Sequence, residues 1–183
     1  IMSLLPGARQ ACGVAVIVDV YRAFTSASVA FRQGARRIIM VERPEQALAL
    51  RDQGAGDLCL GEVDGIKVPG FDYGNSPWEL SKVDLNRKTL IQSTGAGTRG
   101  VVGAAGAEAV FAAALVNAEA TAAAITALEA ERVSIVAMGS RGEMRSEEDE
   151  LCALYLRNRL QGFRPDRSAL RALLRASCDS AKF

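Results

Sequence analysis

Val14-Ala15-Val16-Ile17-Val18-Asp19, near the start of the chain, decides the fold class. Its five apolar and mostly β-branched residues predict a strand that is buried on both faces, as in a parallel sheet. Further short strands of the same kind are predicted at Arg37–Val41, Asp57–Leu60, Thr89–Gln92, Ala109–Ala113 and Val133–Met138. Because helical patterns separate most of these strands, we expect an α/β fold of three layers, α/β/α, around a central sheet that is mostly parallel or mixed.

Caps and apolar periodicity mark the helices between the strands. Pro44 suits a first helical turn and Gly54 a helix end, so they bracket one helix. Asn117 is a candidate N-cap for the alanine-rich segment Ala118–Ala130. A last helix is predicted to start at Asp166 and to turn three leucines inward: Leu170, Leu173 and Leu174. The stretch 61–80 has little apolar periodicity and predicts a long functional loop.

Composition indicates a single globular α/β domain over residues 1–183, with 49% hydrophobic residues. Because the chain opens at Ile1 rather than at Met and ends abruptly at Phe183, we expect residues to be missing at both ends. A net charge of +1, with neither sign concentrated, argues against a nucleic-acid partner. The absence of a long apolar run or a signal peptide predicts a cytoplasmic protein without a membrane partner. Four widely spaced cysteines indicate reduced thiols.

Histidine is absent from the sequence. Histidine general bases, phosphohistidine chemistry and histidine metal ligands are therefore excluded. Any catalysis must use carboxylates, hydroxyls, arginine, lysine or a metal ion.

Ligands of open α/β sheets bind beyond the carboxyl ends of the strands, so the residues that follow each strand are candidates for a site. The first such segment runs from Asp19 through Arg22 and Thr25 to Ser26. It can place a metal ligand and an anion donor side by side. Equally, Asp19 can cap the next helix while Arg22 is solvated, and the sequence leaves both readings open.

The second segment carries Glu62 and then Asp72, Asn75 and Ser76 within a glycine-rich turn. Such a turn can present oxygen ligands, or backbone N–H groups for an anion. Turn chemistry alone favours an ordinary Asx turn.

The third segment, Ser93–Gly100, spells G-x-G-x-x-G with Gly95, Gly97 and Gly100 between a predicted strand and a helix. This pattern is typical of dinucleotide-binding loops, and Glu119 falls near the spacing of their acidic residue. The same loop can instead cradle one phosphate through hydroxyls, a guanidinium and backbone N–H groups, using Thr94, Thr98 and Arg99.

The fourth segment follows the last predicted strand and contains Arg141, and then Glu148 and Asp149. Ser146 and Asp149 fit a capping box, which explains Asp149 without a function. It explains neither Glu148 nor Arg141.

Taken together and in order, these segments resemble the 2-phosphosulfolactate phosphatase family. The resemblance rests on Val18–Ala23, Gly61-Glu62, Gly70–Pro77, Thr94–Arg99 and Glu148-Asp149 with Cys152-Ala153. The most specific string is Gly-Phe-Asp-Tyr-Gly-Asn-Ser-Pro at 70–77. One departure is Ala96, where the family pattern has asparagine, so a side-chain donor is missing.

The resemblance implies a magnesium-dependent acid phosphatase on a three-layer α/β fold that converts 2-phosphosulfolactate to sulfolactate and phosphate. In methanogens this step leads to coenzyme M. Implied catalytic residues are Asp19, Asp72 and Glu148. Implied Mg²⁺ ligands are Asp19, Glu62, Asp72 and Asp149. Candidates for substrate binding, from the resemblance and from the strand-end segments, are Arg22, Thr25, Asn75, Ser76, Thr94, Gly97, Thr98, Arg99 and Arg141.

Two alternatives stay open at the level of sequence. One is a nucleotide-cofactor oxidoreductase that uses the Gly95–Gly100 loop and needs no magnesium. The other is a non-catalytic anion-binding domain, motivated by Ala96 and by a homo-oligomer formed through the alanine-rich helix.

Overall fold

The computed structural model describes residues 1–176. Within them the strands are β1 (Met2–Ser3), β2 (Val14–Val18), β3 (Arg37–Met40), β4 (Leu58–Val63), β5 (Ile66–Lys67), β6 (Thr89–Ser93), β7 (Ala109–Ala113) and β8 (Val133–Ala137). The helices are α1 (Leu4–Arg9), α2 (Ala23–Arg32), α3 (Pro44–Asp52), α4 (Pro77–Leu80), α5 (Gly97–Gly103), α6 (Ala118–Ala127), α7 (Glu147–Leu160) and α8 (Arg167–Ala176).

The strands of residues 1–176 form two sheets. The first has the order β1-β8-β2-β7 and is parallel throughout. The second has the order β3-β6-β4-β5, in which only the short β5 runs antiparallel to its neighbour. The predicted α/β class with mostly parallel strands is confirmed. Hydrogen bonding divides the strands into two sheets, whereas a single central sheet was expected.

Each sheet has a central strand that sets the register. Val18 at the end of β2 lies opposite Ala113 of β7 and Ala137 of β8. In the second sheet β6 is central, and Ser93 at its end lies opposite Gly61 of β4. The carboxyl ends of neighbouring parallel strands therefore align, and the loops that follow them start side by side.

Apolar clusters cover both faces of each sheet. Val16 packs in a cluster with α6 and α7, whereas Ile17 packs with α1, α2 and α5 on the other face. In the second sheet, one cluster contains Leu60 and Leu90, and the other contains their chain neighbours Cys59 and Ile91. Because alternate residues of a strand face opposite sides, each sheet has an apolar cluster on either face, and Met40 of β3 also packs against the cluster that contains Ile17.

Several local predictions are corrected by the structure. The expected long loop 61–80 contains β5 and the short helix α4. Asn117 is the N-cap residue of α6 as predicted, but its side chain makes no capping hydrogen bond. It accepts from the N–H of Ala114 and donates to the carbonyl of Ala112 instead. Leu173 of α8 is 55% exposed, so the prediction that it faces inward is wrong. β1 and α1 were not predicted.

No helix within residues 1–176 combines the length and the apolar composition that a membrane crossing requires. Cys12, Cys59 and Cys152 are free thiols, as predicted. Cys178 lies outside the described residues.

Candidate active site

A cavity of about 340 Å³ opens beyond the carboxyl ends of β2, β4, β6 and β8. All four strand-end segments singled out in the sequence contribute to it. It is lined by Asp19, Tyr21 and Arg22 after β2, by Glu62, Asp64 and Gly65 at the β4–β5 hairpin, by Asn75, by Gly95 and Ala96 after β6, and by Gly139, Ser140 and Arg141 after β8.

Asp19 lies at the floor of this cavity and is only 6% exposed. Its carboxylate accepts hydrogen bonds from the backbone N–H groups of Ala23 and Gly97. Burial raises the pKa of Asp19 from 3.8 to about 6, and repulsion from Glu62 and Glu148 adds to this, while the two hydrogen bonds oppose it. A buried carboxyl with such a pKa in a polar cavity is typical of a functional group.

Glu148 and Asp149 are buried close to Asp19 but do not line the cavity. The Asp149 carboxylate accepts from the backbone N–H groups of Val20 at 2.7 Å and Gly139 at 2.8 Å. It thereby ties the loops after β2 and β8 together. Burial raises the pKa of Asp149 well above its usual range, and Asp19 adds to the shift. The predicted capping box is wrong, because Asp149 bonds these loops instead of the N-cap Ser146.

Glu62 holds two further loops in place. One of its carboxylate oxygens accepts from the N–H of Gly95 at 2.9 Å and the other from the N–H of Gly65 at 2.6 Å. Because Gly95 and Gly65 belong to loops after β6 and β4, Glu62 fixes the relative position of two walls of the cavity. Its contacts in the structure are those of a positioning residue.

Thr94, Thr98 and Arg99 were predicted to bind phosphate, but the structure places them behind the cavity wall. The N–H of Thr94 donates to the Thr98 hydroxyl at 2.8 Å, and that hydroxyl donates to the Thr94 carbonyl at 3.1 Å. The Arg99 guanidinium donates to the carbonyls of Gly95 and Arg141. These side chains brace the loop backbone.

Asp72, Thr25 and Ser76 are also absent from the lining. The Asp72 carboxylate accepts from the N–H of Cys59 at 2.7 Å and pairs with Arg51 at 3.5 Å. The hydroxyl of Thr25 donates to the Val20 carbonyl. The hydroxyl of Ser76 caps α4 by accepting from the N–H of Glu79. In this structure the Asp72 carboxylate therefore anchors a turn to β4, and its catalytic and metal-binding roles stay predictions.

The G-x-G-x-x-G pattern has a packing explanation. A Cβ atom on Gly97 would lie 2.8 Å from an Asp19 carboxylate oxygen, and one on Gly100 would lie 2.5 Å from the sulfur of Met138. Both glycines are therefore needed for close packing inside the protein. Glu119 is engaged by Tyr155, Arg159 and Arg167. This arrangement gives no support to the dinucleotide reading.

The remaining cavity residues include two cationic side chains and one amide. Arg22 and Arg141 supply positive charge, whereas Asn75 supplies an amide. The side-chain oxygen of Asn75 is buried and has no hydrogen-bond partner among the described residues.

Two lining residues, Tyr21 and Asp64, were not predicted from the sequence as part of the site, although each lies two positions after a predicted site carboxylate.

The cavity offers oxygen ligands to a cation without forming a closed cage. Within residues 1–176, no three acidic, cysteine or histidine side chains are grouped so as to hold a metal ion. Mg²⁺ needs fewer protein ligands, because it commonly binds one or two carboxylates together with waters and substrate oxygens. The Asp19 carboxylate and the unsatisfied Asn75 oxygen are of the required type, so the residues present fit this ion.

Comparison with known proteins places this chain in a family. The model of the family described as 2-phosphosulpholactate phosphatase matches residues 2–181. A probable 2-phosphosulfolactate phosphatase of Bacillus subtilis (strain 168) is 34% identical over 149 residues, which is 80% of this chain and 64% of that protein. A probable 2-phosphosulfolactate phosphatase of Deinococcus radiodurans is 38% identical over 144 residues, covering 78% of this chain and 60% of that protein.

The chain thus spans about 60% of the length of these curated relatives. The match nevertheless covers nearly all of its own residues, including the four segments that form the cavity. The chain belongs to the 2-phosphosulfolactate phosphatase family.

Proposed function

We propose that this protein is a magnesium-dependent phosphatase that hydrolyses 2-phosphosulfolactate, or a closely related small phosphorylated acid, to sulfolactate and phosphate. The observation that carries the proposal is the convergence of four strand-end loops on one cavity with a buried carboxylate and two arginines, Asp19, Arg22 and Arg141. Family membership supports the reaction class.

The carboxylate and amide oxygens of Asp19 and Asn75 would hold the magnesium ion. When bound, the ion would neutralise charge on the phosphoryl group and polarise its P–O bonds. Ionised Asp19 suffers repulsion from buried Glu148, and this repulsion favours a cation beside Asp19.

The other cavity residues bind and orient the substrate. 2-Phosphosulfolactate presents a phosphate and two further acidic groups, a sulfonate and a carboxylate, and Arg22 and Arg141 can bind two of these three through charge-assisted hydrogen bonds. Glu62 keeps the Gly95 loop at a fixed distance from the hairpin. Fixed loops lower the cost of orienting the reacting groups.

Phosphate release tests the proposal directly. The protein should release phosphate from 2-phosphosulfolactate in the presence of Mg²⁺, and a chelator should lower the rate about a hundredfold or more, since a bound cation contributes several kcal/mol. Excess Mg²⁺ should restore the rate. A panel of small phosphorylated acids ranks the substrates. Equal rates with Mg²⁺ and with chelator would contradict the magnesium requirement, and no release from any substrate would contradict the phosphatase assignment.

Glu62→Gln should lower kcat/KM about tenfold to a hundredfold, a range typical for groups that orient ligands. The amide can accept from only one of the two N–H groups that the carboxylate now satisfies, so one loop loses its anchor. The measurement is steady-state phosphate release together with the melting temperature. Glu45→Gln on the exposed start of α3 is a matched control. Unchanged kcat/KM in Glu62→Gln would rule out this positioning role.

We also infer that the protein works in the cytoplasm. Its free thiols at Cys12, Cys59 and Cys152 suit a reducing compartment. A fractionation experiment that recovers the protein outside the cytoplasm would contradict this inference.

A further inference from the structure

An ion pair between Asp64 and Arg141 lies at the mouth of the cavity. The guanidinium Nε of Arg141 is 2.8 Å from a carboxylate oxygen of Asp64. The side chain of Asp64 is 54% exposed and that of Arg141 is 60% exposed, whereas Asp19 at the floor of the cavity is 6% exposed. The pair therefore occupies the solvent side of the cavity above the buried carboxylate.

The pair connects the two sheets. Asp64 lies in the turn between β4 and β5, and Arg141 follows β8 of the other sheet. The loops that carry the two residues are each held by a further hydrogen bond. In the turn of Asp64, the N–H of Gly65 donates to the Glu62 carboxylate. In the other loop, the Arg99 guanidinium donates to the carbonyl of Arg141. The backbone at each of the two residues is thus tied down by a contact other than their ion pair.

An ion pair this exposed contributes little to stability, because solvent screens it and side-chain entropy opposes it. A ligand anion can therefore replace Asp64 on Arg141 at small cost. Asp64 contacts Arg141 at Nε. An incoming sulfonate or carboxylate that uses two N–H groups of the planar guanidinium would gain a second charge-assisted hydrogen bond.

We propose that Asp64 is a specificity-determining residue that occupies Arg141 until an acidic group of the substrate other than the phosphate displaces it, and that it thereby limits the preference for such acidic substrates. This inference rests on the proposed function, since it assumes a ligand with at least one acidic group besides phosphate. Asp64 then imposes a penalty on every ligand that uses Arg141. Phosphate esters without a second acid leave the ion pair in place and avoid that penalty, so Asp64 weakens binding only for ligands whose second acidic group contacts Arg141.

Kinetics of Asp64→Asn with two substrates test the inference. The KM for 2-phosphosulfolactate should fall about two- to fivefold, as expected for loss of a surface ion-pair competitor. The KM for glycerol 2-phosphate, which has hydroxymethyl groups in place of both acids, should stay within a factor of two. Asp52→Asn, which removes an exposed carboxylate outside the cavity, should change neither KM.

A double-mutant comparison separates competition for Arg141 from general repulsion of anions. Arg141→Met should raise the KM for 2-phosphosulfolactate, and adding Asp64→Asn to it should give no further gain. If Asp64→Asn lowers the KM for both substrates equally, or still does so without Arg141, long-range repulsion accounts for the effect and the proposal is overturned.

Binding of sulfolactate by calorimetry keeps this inference distinct from the phosphatase assignment. Tighter binding to Asp64→Asn than to the unmodified protein supports displacement at Arg141 even if no substrate is hydrolysed. Normal phosphate release with unchanged KM and unchanged sulfolactate binding would overturn the role of Asp64 while leaving the phosphatase assignment intact. Melting temperatures within about two degrees of one another exclude misfolding as the cause.

Discussion

Replacing Asp19 with asparagine should lower the rate of Mg²⁺-dependent phosphate release about a thousandfold, within the range expected when a metal or a proton-transfer group is lost. Asp19 is the buried carboxylate at the floor of the cavity, and the amide has no charge with which to hold a cation. The measurement is kcat under saturating substrate and Mg²⁺.

Asp72→Asn is the matched control for this substitution. Its carboxylate anchors a turn to Cys59 N–H, and the asparagine oxygen can still accept that hydrogen bond. This variant should retain activity within a fewfold of the unmodified protein. Loss of activity in Asp72→Asn with full activity in Asp19→Asn would reverse the assignment of the two carboxylates.

Asp19→Asn should also change how stability depends on pH in the absence of metal. The pKa of Asp19 is about 6 in the folded chain and 3.8 in the reference state, so the folded chain binds more protons between these values. Stability therefore falls as pH rises from about 4 to about 6, by on the order of 3 kcal/mol for this group. The asparagine variant has no such pH dependence at this position. The difference in the free energy of unfolding, variant minus unmodified protein, should therefore rise by about 3 kcal/mol between pH 4 and pH 7. Urea denaturation with chelator present measures this difference.

Gly61→Ala should destabilise the protein by about 4 kcal/mol or more, the range of exceptional core substitutions. Gly61 has φ of +145°, and a Cβ atom there would lie 1.8 Å from the carbonyl oxygen of Ser93 on the paired strand. The contact is with backbone, so β4 and β6 must separate locally. Soluble yield and the urea midpoint are the measurements.

Gly106→Ala provides the control for Gly61→Ala. No atom lies within 4 Å of a Cβ built on Gly106, so the same substitution should change stability by no more than about 0.5 kcal/mol. A Gly61→Ala protein as stable as Gly106→Ala would show that the two strands accept a side chain between them.

The strands were predictable because burial on both faces leaves a simple signal in the sequence. Val14–Val18 and Ala109–Ala113 are observed as predicted. The short β1 and β5 were not predicted, since two residues carry no periodicity. The division into two sheets depends on which strands pair over long sequence distances, and local sequence patterns do not predict that pairing.

The segments that form the cavity were predictable, but the direction of each side chain was not. Asp19 follows a strand directly, and the end of the strand fixes its position. Asp72 lies in a turn whose hydrogen bonds return it to β4, and Asp149 satisfies backbone N–H groups far away in sequence. Sequence spacing identifies an acidic residue near a site but not whether its oxygens face ligand or backbone.

Each sheet has its own main apolar clusters, joined through α2 and through Met40 of β3, and the cavity takes its walls from both sheets. Regions with separate cores can open as distinct cooperative units. The cavity forms only while both sheets keep their native packing. An anion bound there would therefore stabilise that packing by its binding free energy. A bound anion would therefore hold the two sheets together, and partial opening of either one would release the anion before the whole chain unfolds.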